Sequence, residues 1–144
     1  MKPGNPTPAG DTSRKSVLLI GICLTDKDNN ASRIAEELSS SHDWNVEQIW
    51  IGLGQNKAPI ELETVTCEHH TELAPKFTLL NGVLNRVNLS DYEYLLICDD
   101  DIELPGQFLD DYLEIVGRYN FAIAQPARTN DSYIDHEFVT QLHG

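Results

Sequence analysis

Along this chain, apolar residues fall into runs of two periods, and each run predicts an element. From Ser16, SVLLIGICLT is continuous, apolar and rich in β-branched side chains, the pattern of a strand covered on both faces of a parallel sheet. TDKDNNASR then gathers turn formers, with Asn30 or Ser32 placed as an N-cap and Ile34, Ala35 and Leu38 on one helical stripe. A short helix over about residues 31–40 follows. NVEQIWIGLG alternates Val46, Ile49 and Ile51 with polar neighbours and stops at Gly52 and Gly54, which makes a second strand. ELETVTCEH has a weaker pattern and predicts a third.

Pro75 suits the first turn of a helix, and Phe77, Leu80, Val83, Leu84 and Val87 share one face behind it, so a helix is predicted over residues 76–87. YEYLLICDDD is an apolar strand running into three carboxylates. In PGQFLDDYLEIVGRY, Phe108, Leu109, Tyr112, Leu113 and Val116 form a stripe before Gly117, which predicts another helix, and FAIAQPA supplies a last strand. The order β-α-β-β-α-β-α-β implies an α/β fold, a mostly parallel open sheet with helices on both faces, Rossmann-like in class. Ligands of such sheets bind beyond the carboxyl ends of the strands, where the aspartates lie. Residues 1–15, with three prolines, two glycines and no large apolar side chain after Met1, read as a disordered lead, leaving 16–144 as the folded domain.

Composition narrows the function. At 144 residues one domain is expected, and a chain of this size buries about 70% of its unfolded surface without needing disulfides. Ten Lys and Arg against 23 Asp and Glu give a formal charge of -13, which argues against nucleic acid and anionic membrane surfaces as partners. An anionic ligand then requires a divalent cation or a few local basic groups to offset the carboxylates, and a phosphate site is expected to need a metal. Cys23, Cys67 and Cys98 are odd in number and lie in apolar or strand-like runs, so they read as buried free thiols. Neither a signal peptide nor a membrane span is visible, and a cytoplasmic location is the expectation.

Asp99, Asp100 and Asp101 carry the chemistry. In extended backbone, alternate side chains share a face, so Asp99 and Asp101 converge while Asp100 points elsewhere. Grouped carboxylates repel unless a cation joins them, and a hard ion such as Mg2+ or Mn2+ takes oxygen ligands and keeps positions for phosphate. A P-loop ATPase would need G-x-x-x-x-G-K-[ST], which is absent. Glu103 stands where a haloacid-dehalogenase-type D-x-D-x-[TV] run has Thr or Val. A receiver-type acidic pocket, which Asp26 and Asp28 could imitate, lacks its later Lys.

YEYLLICDDDIELPGQFLDDYLEIV instead resembles the D-x-D region of GT-A glycosyltransferases: apolar strand, Asp-x-Asp, spacer, Pro and helix. Upstream, Lys76-Phe77-Thr78-Leu79-Leu80-Asn81 is similar to the K-x-x-x-L-N segment of family-2-like members, and AQPARTNDSYIDHEF is similar to a segment of uncharacterised GT-A-like proteins. The resemblance implies a metal-dependent transferase that binds a nucleotide-sugar donor through Mn2+ or Mg2+ and passes the sugar to an acceptor it does not identify. It assigns the metal to Asp99 and Asp101, and the donor to Lys76, Asn81, Asp99 and Asp100. Where family-2-like enzymes carry acidic residues after the second strand, this chain has Ile51-Gly52-Leu53-Gly54-Gln55-Asn56, which leaves Thr25 and Asp26 as the base or ribose contacts. Asp131 and His136 are the nearest further candidates. The likeness spans residues 16–136, the nucleotide-binding half of a GT-A domain, and the acceptor half has no room before Gly144. A non-catalytic module that binds a nucleotide or a partner is therefore the alternative.

Overall fold

The computed structural model describes residues 15–134 and 136–141; apart from Lys15, the lead expected over 1–15 lies outside the described residues. Two compact units, Met1–Phe108 and Leu109–Gly144, divide the chain. The first holds strands β1 (Lys15–Leu24), β2 (Trp44–Leu53), β3 (Thr66–His70) and β4 (Tyr94–Cys98), with helices α1 (Ala31–Ser39) and α2 (Lys76–Leu84). All strand pairs are parallel and the spatial order is β3-β2-β1-β4. The Rossmann-like α/β class expected from the pattern is what forms.

The apolar run of β1 fills both faces because it is central. On one face Leu18, Ile20 and Ile22 pack with Ile51 and Leu53 of β2 and with Leu79, Leu80 and Val83 of α2. Each such side chain, fully buried, stabilises the fold by about 1.5–3 kcal/mol before entropy is counted. On the other face, α1 is tied to β2 through Gln48, whose Nε2 donates to the Ala35 carbonyl at 2.8 Å and to Ser39 Oγ at 2.7 Å. One helix therefore covers each face.

Several boundaries differ from the pattern. The third strand begins at Thr66, and the residues ahead of it form a 3-10 turn at Ile60–Leu62 whose Leu62 is buried. β3 is an edge strand, so Cys67, expected to be buried, is exposed, while Cys23 and Cys98 are buried; all three are free thiols. α2 stops at Leu84 because its last turn tightens, with Arg86 N–H on the Val83 carbonyl and Val87 N–H on that of Leu84.

In the second unit, α3 (Phe108–Tyr119, which begins at the boundary) passes through Gly117 and ends at Asn120, whose φ of 51° provides the left-handed stop that the pattern placed at glycine. The strand expected in FAIAQPA does not form; Phe121 is 49% and Ile123 93% exposed. Four apolar residues before a proline make a strand only where a neighbouring edge pairs with them, and alternation within the segment carries no information about that neighbour. Among the described residues no helix is long and apolar enough to cross a membrane.

Candidate functional site at the sheet switch point

Strand order reverses between β1 and β4: the chain leaves β1 for β2 on one side and returns after β3 to β4 on the other. In open parallel sheets, this reversal opens a crevice beyond the strand ends. Here a cleft of about 210 Å3 occupies it, floored by Ile22, Leu24, Leu53 and Ala74 and rimmed by Lys76, Asp99, Asp100 and Asp101.

The triplet is held by hydrogen bonds from the turn after β1. Leu24 N–H donates to Asp100 Oδ2 at 2.5 Å, Asn30 N–H to the Asp100 carbonyl at 2.7 Å, and Asn30 Nδ2 to the Ile102 carbonyl at 3.1 Å. Of Asn30 and Ser32, the two residues expected as N-cap for α1, Asn30 occupies that position, but its side chain is spent on the Ile102 carbonyl just past the triplet. The helix start is met by Asn29 instead, whose Oδ1 accepts from Ala31 N–H at 3.0 Å while its Nδ2 donates to the Leu24 carbonyl. Neither role was legible, because an Asn-Asn pair after a strand reads only as turn and cap chemistry.

Asp100 is 6% exposed. Burial raises its carboxyl above the ordinary value, the Leu24 N–H opposes that shift, and Asp101 and Asp99 add to it. Asp99 and Asp101 are exposed; they lie past the end of β4, Asp101 in a turn, and line the cleft together with Asp100. Lys76, the first residue of α2, reaches across to form an ion pair with Asp99 Oδ1. Burial first, then nearby carboxylates, push the Cys23 thiol up to about 11 and the Cys98 thiol up to about 12, so neither is a nucleophile at neutral pH.

The other candidates sit elsewhere. Asn81 is exposed on α2 and does not line the cleft. Thr25 Oγ1 is buried without a hydrogen-bond partner in the structure. Asp26 closes the loop after β2: its Oδ1 accepts from Gln55 and Asn56 N–H and its Oδ2 from Gln55 N–H, each at 2.8 Å. Gly54 makes that approach possible, since it has φ 140° and a Cβ there would lie 2.5 Å from Thr25 Oγ1 and 2.8 Å from Asp26 Cγ. Asp131 and His136 belong to the second unit, where the His136 ring stacks on Phe138.

The Asp26 clasp has a pH signature. The Gln55 N–H first, and then that of Asn56, hold its carboxyl below the ordinary value of 3.8. A depressed carboxyl contributes order that is present above the ordinary value and lost as pH falls through the folded one. The amide resonances of Gln55 and Asn56 are expected to titrate together with a midpoint below 3.8, and Asp26→Ala should abolish that titration and speed exchange of both amides. A midpoint at or above the ordinary value would contradict the clasp.

Among the described residues, no three His, Cys, Asp or Glu side chains are grouped so as to hold a metal ion by themselves. What the cleft offers is two hard oxygen donors, Asp99 and Asp101, which is the share proteins commonly give Mg2+ when phosphates and water complete the shell. The donor set thus fits a cation that arrives with phosphate. No protein-family model, no curated protein and no solved structure matches the chain.

Proposed function

We propose that the chain binds a nucleotide-sugar through a divalent cation, Mn2+ or Mg2+, and acts as a metal-dependent glycosyltransferase of GT-A type toward an acceptor still to be found. The observation that carries this reading is the meeting of Lys76, Asp99 and Asp101 around one cleft at the switch point of a parallel sheet. Residues 76 and 99–101 come from separate parts of the chain, and two of the three segments that bear the resemblance supply them. The reading does not need the sheet to extend further.

In this mechanism Asp99 and Asp101 would hold the cation through their carboxylate oxygens, and Lys76 would offer its ammonium to a phosphate oxygen. Asp100 stays out of the exchange and fixes the triplet's backbone against β1 through Leu24 N–H. A bound cation would supply Lewis-acid stabilisation of the negative charge that the leaving nucleoside diphosphate gains. Ile22, Leu24 and Leu53 give that charge an apolar floor, where a fixed cation acts more strongly than in bulk water. A cytoplasmic setting, which keeps thiols reduced, suits the three free cysteines.

The size of the cleft favours a second reading. At about 210 Å3 it falls short of the roughly 300–1,000 Å3 typical of pockets that enclose a whole organic ligand. A module that holds a cation and the diphosphate of a nucleotide without transferring a sugar needs no more room than this.

Calorimetric titration of a panel of nucleotides and nucleotide-sugars, with and without Mn2+, tests both readings. Metal-dependent binding is expected in the wild type and is expected to disappear in Asp101→Ala, whose circular dichroism and melting should match the wild type because Asp101 is exposed. Undiminished binding by the folded variant would refute the assignment. Turnover of a bound nucleotide-sugar separates the transferase from the module.

A further inference from the structure

At the rim of the cleft, the two charged groups most useful to a ligand are paired with each other. Lys76 Nζ donates to Asp99 Oδ1, linking the first turn of α2 to the residue that follows β4. Both side chains are part-exposed, and ion pairs with that access to water exchange partners readily. Asp100 is buried and its Oδ2 accepts from Leu24 N–H, so Asp99 is the member of the triplet paired with Lys76.

This pairing sets different conditions for each ligand component. A cation arriving alone must displace the ammonium from Asp99 and would leave Lys76 without its counter-ion. A diphosphate arriving alone finds Lys76 occupied and meets three carboxylates on the same rim. When cation and diphosphate arrive together, the cation takes Asp99 and Asp101, the phosphate takes Lys76, and every charge keeps a partner of opposite sign. We infer that Asp99 is an internal counter-ion for Lys76, so that a divalent cation and a diphosphate bind in the cleft more tightly together than either does alone. The inference rests on the donor-site reading above and adds to it the condition under which the site fills best.

The test uses the full chain and three probes: Mn2+ alone, followed by the paramagnetic resonance signal of the free ion; pyrophosphate alone; and preformed Mn2+-pyrophosphate, both followed by calorimetry. Wild type is expected to bind Mn2+-pyrophosphate at least roughly tenfold more tightly than either component. In Lys76→Met, affinity for Mn2+ alone should rise by roughly two- to fivefold while affinity for the complex falls. In Asp99→Asn, pyrophosphate alone should bind more tightly, and by more than in Asp101→Asn, which removes the same charge but leaves the ion pair in place. If Lys76→Met binds Mn2+ no better than the wild type, or the two Asn variants gain equally, the counter-ion role is wrong although the donor reading stands. If folded wild type does not bind Mn2+-pyrophosphate at all, both fall.

Discussion

Asp100→Ala is expected to lower folding stability by about 1–3 kcal/mol, although the aspartates on either side can be replaced at little cost. Asp100 is the buried member of the triplet, and its Oδ2 is the acceptor for the Leu24 N–H at 2.5 Å. Removing the side chain leaves that donor at the end of the central strand without a partner and opens a gap between β1 and β4. The carbonyl of the same residue accepts from Asn30 N–H, so any shift of the backbone also disturbs the turn that starts α1. Asp100→Asn keeps an acceptor oxygen in nearly the same volume and removes a charge that burial disfavours, so its loss should be well under that of the Ala variant. Asp101→Ala, at an exposed side chain, should change stability by no more than about 0.5 kcal/mol. Urea unfolding of the three variants, compared at constant m, gives the ranking. Equal losses for Asp100→Ala and Asp101→Ala would mean that Asp100 is not a strut.

That division of labour within one triplet marks how far the sequence could be read. Period-two alternation matches the exposure of Asp99 and Asp101 and the burial of Asp100. Yet β4 ends at Cys98, residues 100 and 101 form a turn, and all three line the cleft, so the strand rule does not itself set their directions. It could not say what Asp100 turns toward. The partner is a backbone N–H at residue 24, and backbone groups carry no signature in the sequence. The same holds for Asn29 and Asn30: their side chains serve atoms of Leu24, Ala31 and Ile102, and the last of these contacts spans 72 positions.

The elements followed the same logic. β1, β2 and β4 were legible because continuous apolar or alternating runs report burial on a sheet, and α1 because its stripe faces one way. Thr66–His70 was harder to delimit, since a polar edge strand reads much like the 3-10 turn before it. FAIAQPA was overread for the opposite reason: it has an apolar composition, but a strand also requires an unpaired edge, and that requirement lies outside the segment. Lys76 was singled out only through the K-x-x-x-L-N likeness; a helix start after proline does not by itself display the long-range placement that brings it to the cleft.

Gly21 is the position where the central strand tolerates least. Glycine inside a strand weakens it unless something must come close, and here the indole of Trp50 fills the space a side chain would take. A Cβ on Gly21 would lie 2.5 Å from Trp50 Cζ3, 2.6 Å from Cε3 and 2.9 Å from Cη2. The ring has nowhere to retreat: Trp50 is fully buried, and its Nε1 donates to Gln48 Oε1 at 2.9 Å, which itself is bound to α1. Gly21→Ala is therefore expected to cost at least about 1–3 kcal/mol by overpacking, and Trp50→Ala about 3–5 kcal/mol by leaving a cavity. The two errors are of opposite sign in volume and occupy the same space. Combined in one chain, the added methyl enters the hole left by the indole, so the double variant should be no less stable than Trp50→Ala alone and much more stable than the sum of the single losses requires. A strictly additive cycle, measured from denaturant midpoints, would show that the glycine is retained for some reason other than the ring above it.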